Sequence, residues 1–159
     1  MTQMYLVPVD DDWMDWYNKT VEQPASLSDS PIEELQGLEE ARVWGTTRGK
    51  RKRTLFDDMR SGDAIMFYKN REFFATGRVG KNFESSDAGK WLWNAPESIF
   101  IYTVEDYQNS SIPLSQVNEL LGYSENNLIN GFTRPSENAI TNLLKKYPSV
   151  DAAFRDLRN

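Results

Sequence analysis

Cysteine and histidine are both missing from the 159 residues. Without cysteine there are no disulfides, no thiol nucleophile and no thiolate metal site. Without histidine the chain lacks the usual general base near neutral pH and the commonest metal ligand. Long apolar runs are missing too; none approaches the ~20 residues of a membrane-spanning helix. The opening MTQMYLVPVDDD has neither the positive charge nor the apolar core of a secretory leader. These absences predict a cytoplasmic protein that works in a reducing setting, away from membranes.

Phosphate-binding glycine loops, dinucleotide fingerprints and nucleophile–base sets are also absent. Asp10, Asp11 and Asp12 are oxygen donors suited to a hard cation, but three successive side chains diverge, and helix capping accounts for them better. The expectation is therefore a binding module, not an enzyme, with no catalytic residue, no metal and no cofactor.

What is present is charge segregation. The net charge is −6. Residues 1–41 carry ten acidic side chains against one lysine, whereas residues 42–90 carry twelve basic against six acidic. The positive field peaks in VWGTTRGKRKR (43–53), where five of the six residues after the threonines are basic. A solvated loop explains such a run as readily as a polyanion does. Aromatics are abundant as well: five Trp, seven Tyr and eight Phe, more than a core of this size needs. Trp13, Trp16 and Tyr17 fall at i, i+3 and i+4 and make one helical face. Trp44, Trp91 and Trp93 lie instead beside or within segments that read as loops. Such residues either cap the core or line a pocket, and position alone leaves both open.

The periodicities predict strands over 4–9, 41–47, 63–69, 72–80 and 98–105, with a hairpin turn at Lys69-Asn70-Arg71. Gly77, in mid-strand, marks a bulge or a close backbone approach. Helices are expected after Asp12, after the Ser30-Pro31-Ile32-Glu33 capping box, from Thr54 to about Gly62, over IPLSQVNELLGY, from Ser136 to about Lys146, and after Ser149. Residues 81–97 read as irregular. No repeat or long linker divides the chain, so 1–159 is expected to be one domain. Strands joined by short turns, without a regular βαβ rhythm, imply an α+β fold: a curved, mainly barrel-like sheet with helices outside.

The order VWGTT, LFDDM, GDAIMFY, EFFATGRV, AGKWLW and SIFIYTV resembles the YTH and EVE-type domains of the PUA-like superfamily. The resemblance covers roughly residues 4–147, is strongest over 41–104, and is nearest to the N-terminal modules of McrBC-type modification-dependent restriction proteins. It implies a curved mixed β-sheet, a pseudo-barrel flanked by helices. It also implies a reader that binds nucleic acid, DNA favoured over RNA, and flips a methylated base into an aromatic cage. N6-methyladenine is the favoured base and a modified cytosine the alternative. Trp44 matches the first cage tryptophan; Trp91 or Trp93 matches the second, and spacing leaves the choice open. The resemblance places base-edge contacts at Val9 and Asp10, and Gly45, Thr46 and Thr47 are further candidates beside the cage. The phosphate backbone would lie on Arg48, Lys50, Arg51, Lys52 and Arg53, with Lys81 and Lys90 adding to that surface. Nuclease or NTPase activity would belong to a fused or separate partner. The competing readings are an RNA-binding PUA-like reader of N6-methyladenosine and an interaction domain whose cage takes methyl-lysine or a peptide.

Overall fold

The computed structural model describes all 159 residues. Six strands follow one another across a mixed sheet in the order β1-β4-β5-β6-β3-β2. They are β1 (Met4–Pro8), β2 (Ala25–Ser26), β3 (Glu40–Thr46), β4 (Ala64–Lys69), β5 (Glu72–Glu84) and β6 (Phe100–Pro113). The helices are α1 (Asp11–Tyr17), α2 (Lys50–Asp57), α3 (Ser86–Trp93), α4 (Leu114–Leu121), α5 (Glu137–Leu144) and α6 (Val150–Arg158). This is the expected mixed α+β class. The chain forms two compact units, one of Met1–Val9, Gly62–Arg78 and Asp106–Asn159, the other of Asp10–Ser61 and Val79–Glu105.

In the first unit β1 runs parallel to β4, Met4 opposite Ala64 and Pro8 opposite Tyr68. β4 and β5 form the expected hairpin around Asn70 and Arg71, whose φ values of 51° and 64° suit a tight turn matched to the strand twist. The register shift falls where Phe67 faces Ala75 and Tyr68 faces Phe73, so the extra residue is Phe74 and not Gly77. The apolar face of this sheet segment (Met4, Leu6, Met66, Phe73) packs with α4, α5 and α6 through Leu114, Val117, Leu143 and Phe154. Ser136 and Ser149 cap α5 and α6 by accepting from the N–H groups of Ala139 and Ala152 at 3.2 and 3.0 Å. Arg158, 7% exposed at its side chain, ties the end of α6 down. Its Nε donates to Thr76 Oγ1 at 2.9 Å, and Nη1 meets Asp106 Oδ2 at 2.7 Å. Arg78 lies 5.0 Å from the Phe154 ring, as does Arg158.

The second unit holds β2, β3, α1, α2, α3, the end of β5 and the start of β6. β3 and β6 are antiparallel, with Trp44 opposite Tyr102 and Thr46 opposite Phe100. α1 is short because its chain widens into a π-helical turn, Asn18–Glu22, before β2. The Ser30 box yields only a 3-10 turn, Glu33–Leu35, and Ser30 Oγ accepts from the N–H of Ile32.

Two expectations fail. Residues 81–97 are not irregular: β5 continues to Glu84 and α3 follows at once. Ser85 Oγ accepts from the N–H of Ala88 at 3.0 Å, with Asp87 in the first turn, a start signal visible in ESSDAGKW. Gly89 is there for close packing, since a Cβ at that position would stand 2.5 Å from the Ala95 carbonyl oxygen. The second failure concerns the basic stretch. Lys50 to Arg53 are not loop; they are the first turn of α2.

Candidate nucleic-acid interface

Strand β3 delivers Trp44 to one face of the second unit, and α3 delivers Trp93 to meet it. Trp44 is 6% exposed and Trp93 3%. Their ring centroids lie 5.7 Å apart at 74°, edge to face. Tyr17, from the end of α1, meets Trp44 in the same way at 5.4 Å and 79°. Each such pair adds about 0.5–1.5 kcal/mol beyond area burial. Trp91 does not join them: two residues before Trp93 on α3, it points away and is 38% exposed.

A buried hydrogen-bond chain orients Trp93. Its Nε1 donates to Thr20 Oγ1 at 3.1 Å, and the Thr20 hydroxyl donates to the Trp16 carbonyl at 3.1 Å. Thr20 sits in the π-helical turn, so that widened turn sets the angle of the indole. Thr20→Val leaves the indole N–H without its acceptor and is expected to cost about 1–3 kcal/mol in a urea titration. Gly45 is required by this packing. A Cβ there would stand 2.6 Å from the Phe100 carbonyl oxygen and 3.3 Å from Cη2 of Trp93.

Thr46 and Thr47 are half-buried at the end of β3, and Thr47 Oγ1 accepts from Lys52 Nζ at 2.6 Å. Arg48 is exposed; its N–H donates to the Glu97 carbonyl at 3.0 Å and its guanidinium to the Pro96 carbonyl at 3.4 Å. The turn before α2 is thereby fastened to the chain after α3. Lys50, Arg51, Lys52 and Arg53 then crowd the N-terminal end of α2. Cations are unfavourable there, by about 0.3–1 kcal/mol each, because the helix dipole already makes that end positive. Arg53 is held by its neighbours: Nη2 bonds Glu84 Oε1 at 2.9 Å, and its guanidinium lies 5.1 Å from the Phe100 ring.

The other predicted residues lie as follows. Lys81 is exposed and its Nζ donates to the Glu34 carbonyl. Lys90 is exposed on α3. Val9 is buried, and its N–H donates to the Tyr68 carbonyl at 2.9 Å within the first unit. Asp10 is exposed at the N-cap of α1 without a side-chain cap bond; its carbonyl accepts from Trp13 N–H at 2.9 Å. No group of three or more acidic side chains comes together as a metal site. No helix is long and apolar enough to cross a membrane.

Tyr102 was not singled out in the sequence, where it reads as alternating strand packing. It stands directly opposite Trp44, is 0% exposed, and its hydroxyl has no hydrogen-bond partner. Burial pushes its pKa far above the ordinary phenol value. No sequence signal marks an orphaned hydroxyl, because partnering is decided only in three dimensions.

No family model matches the chain, and no curated protein matches it. Its backbone is similar to that of the N-terminal domain of Thermococcus gammatolerans McrB bound to m5C DNA. The TM-score is 0.62 at 11% identity, over 91% of this chain and 96% of that one. The chain has the McrB N-terminal fold. A mutant of the ZmASCH protein from Zymomonas mobilis is also similar, with a TM-score of 0.51 at 9% identity over 91% of this chain and 98% of that one. Both likenesses are of fold, and they agree with the PUA-like architecture implied by the residues around VWGTT and SIFIYTV. Within that McrB-like frame, Trp44 and the cations of 48–53 fall at the end of one strand and the start of the next helix.

Proposed function

We propose that this chain is a modified-base reader. It binds DNA and holds one methylated base, extracted from the duplex, against Trp44. One observation carries this reading: an aromatic cluster ends β3, and within the next seven residues four cations crowd a helix end that already repels them. An arrangement that costs the free protein stability is relieved by an anion, and a nucleotide brings both a phosphate and a flat apolar base. The fold likeness to a domain solved with m5C DNA supports the choice of DNA.

Flipping a base costs a few kcal/mol, and each aromatic stack returns about 1–3 kcal/mol. Trp44 and Trp93 touch edge to face at 5.7 Å, whereas two parallel walls around a base need about 7 Å, twice a van der Waals stack. The free cluster is therefore shut. A base enters as Trp93 withdraws, and Trp44, Trp93 and Tyr17 become its walls. Trp91, exposed on α3, contacts the strand outside the cage. Arg48, Lys50, Arg51 and Lys52 hold phosphates; Arg53 braces the helix against Glu84 and Phe100. N6-methyladenine is the favoured base and a modified cytosine the alternative. The module supplies specificity to a nuclease or NTPase in a fused or separate chain.

The test is a binding panel of otherwise identical duplexes carrying N6-methyladenine, 5-methylcytosine or no modification, with an N6-methyladenosine RNA beside them. A preference of tenfold or more for one modified duplex is expected. Equal binding to all four ends the proposal, and a preference for the RNA replaces it with the RNA-reader reading.

A further inference from the structure

We infer that Tyr102 is a specificity-determining residue whose hydroxyl tests the hydrogen-bonding edge of the base held at Trp44. This rests on the base-reading function proposed above. Two buried side-chain polar atoms lack a partner, the Tyr102 hydroxyl and Asn118 Oδ1. The Asn118 amide already donates to the Glu125 and Asn127 carbonyls, at 3.1 and 2.9 Å, and so has a structural role in its loop. Tyr102 has no such second bond to explain it. Native proteins leave few buried polar groups unpaired, and those few sit where a ligand, water or strain has a use for them.

Its position supplies the use. Tyr102 and Trp44 are directly opposed across the β3–β6 ladder, so both side chains leave the same face, with Cβ atoms about 4.5–5.5 Å apart. At the same cluster, the Trp93 indole N–H is already occupied by Thr20. A phenol donates one hydrogen bond and accepts another. That pair suits a ring nitrogen beside an exocyclic N–H, the edge of an adenine bearing one N-methyl group or of an aminopyrimidine. Burial keeps the hydroxyl protonated and therefore a donor. A keto base, which offers no acceptor nitrogen beside an exocyclic N–H, leaves the hydroxyl unpaired in a dry site; the hydroxyl thus selects an amino base for the cage, and the buried methyl selects its modified form.

The experiment compares Tyr102→Phe with the parent chain on the modified and unmodified duplexes, alongside thermal melting of both proteins. The variant is expected to melt at the same temperature or higher and to lose at least tenfold in affinity for the modified duplex, and with it the preference for the modified base. A variant that keeps the full preference overturns the inference while the reader function stands. If the parent itself shows no preference, the function fails and Tyr102 with it. A second measurement needs no substitution. With tyrosines labelled at the oxygen-bearing ring carbon, the Tyr102 resonance is expected to move when the methylated duplex is added. A resonance that stays in place under saturating DNA overturns the inference.

Discussion

Trp44→Ala is expected to lower the unfolding free energy by about 3–5 kcal/mol, the range for emptying a buried aromatic site. A small domain has only about 5–15 kcal/mol to lose, so a measurable unfolded fraction follows at 37 °C. Were Trp44 only the cage wall that the family resemblance implies, this substitution would abolish the preference for a modified base and spare the fold. Burial changes the second half of that expectation. Trp44 is in edge-to-face contact with both Tyr17 and Trp93, so alanine removes two ring contacts as well as its own buried area. Binding loss in the alanine variant would then mix two causes. Trp44→Phe separates them: it keeps a ring between Tyr17 and Trp93, and it offers the base a smaller stacking face. A urea titration should place Trp44→Phe within about 2 kcal/mol of the parent, consistent with a change of shape at nearly constant polarity. Its affinity for the modified duplex should still fall several-fold. A Trp44→Phe variant that binds as tightly as the parent removes Trp44 from the cage.

Replacing Lys50, Arg51 and Lys52 together by glutamine is expected to move binding and stability in opposite directions. Three phosphate contacts contribute a salt slope of about −2.7 on duplex DNA and about a hundredfold in affinity near 0.15 M salt. Modified and unmodified duplexes should weaken alike, because backbone contacts position the nucleic acid without reading it. The free protein, meanwhile, is expected to gain about 1–2 kcal/mol as cations leave the positive end of α2. Loss of the Lys52–Thr47 bond takes back part of that gain. The two measurements are a salt titration of binding and a denaturant titration without DNA. Unchanged stability with unchanged affinity would make the cluster a solvated surface. Arg53 is left in place because its bonds to Glu84 and its stacking on Phe100 give it a structural share.

Hydrophobic alternation and turn chemistry were enough to read β1, β3, the β4–β5 hairpin and the serine-capped α5 and α6, because each signal is local. Gly122, with φ of 77°, ends α4 where the sequence places it. The long strands were underread. β5 runs on to Glu84 and β6 to Pro113 through residues of poor strand propensity. Ladder pairing with a neighbour decides such segments, and propensity is a weak prior against it. The Ser85 cap was legible in principle, but two tryptophans and Gly89 disguised the helix behind it.

At the candidate site the division is similar. The sequence by itself determined that this chain has no thiol or imidazole chemistry, that its positive charge is concentrated between residues 42 and 90, and that tryptophan and cation adjoin at 44–53. It could not determine which tryptophan meets Trp44, since Trp91 and Trp93 differ only in helical phase, and phase needs the helix start at Ser86. Nor could it determine that the cations stand against a helix dipole, that Trp93 is aimed by Thr20, or that the Tyr102 hydroxyl is left unpaired. The first depends on where a backbone hydrogen bond begins, the second on residues 73 positions apart, and the third on how the whole chain packs around one hydroxyl. Burial and partnering belong to the packed chain and have no counterpart in the residue order.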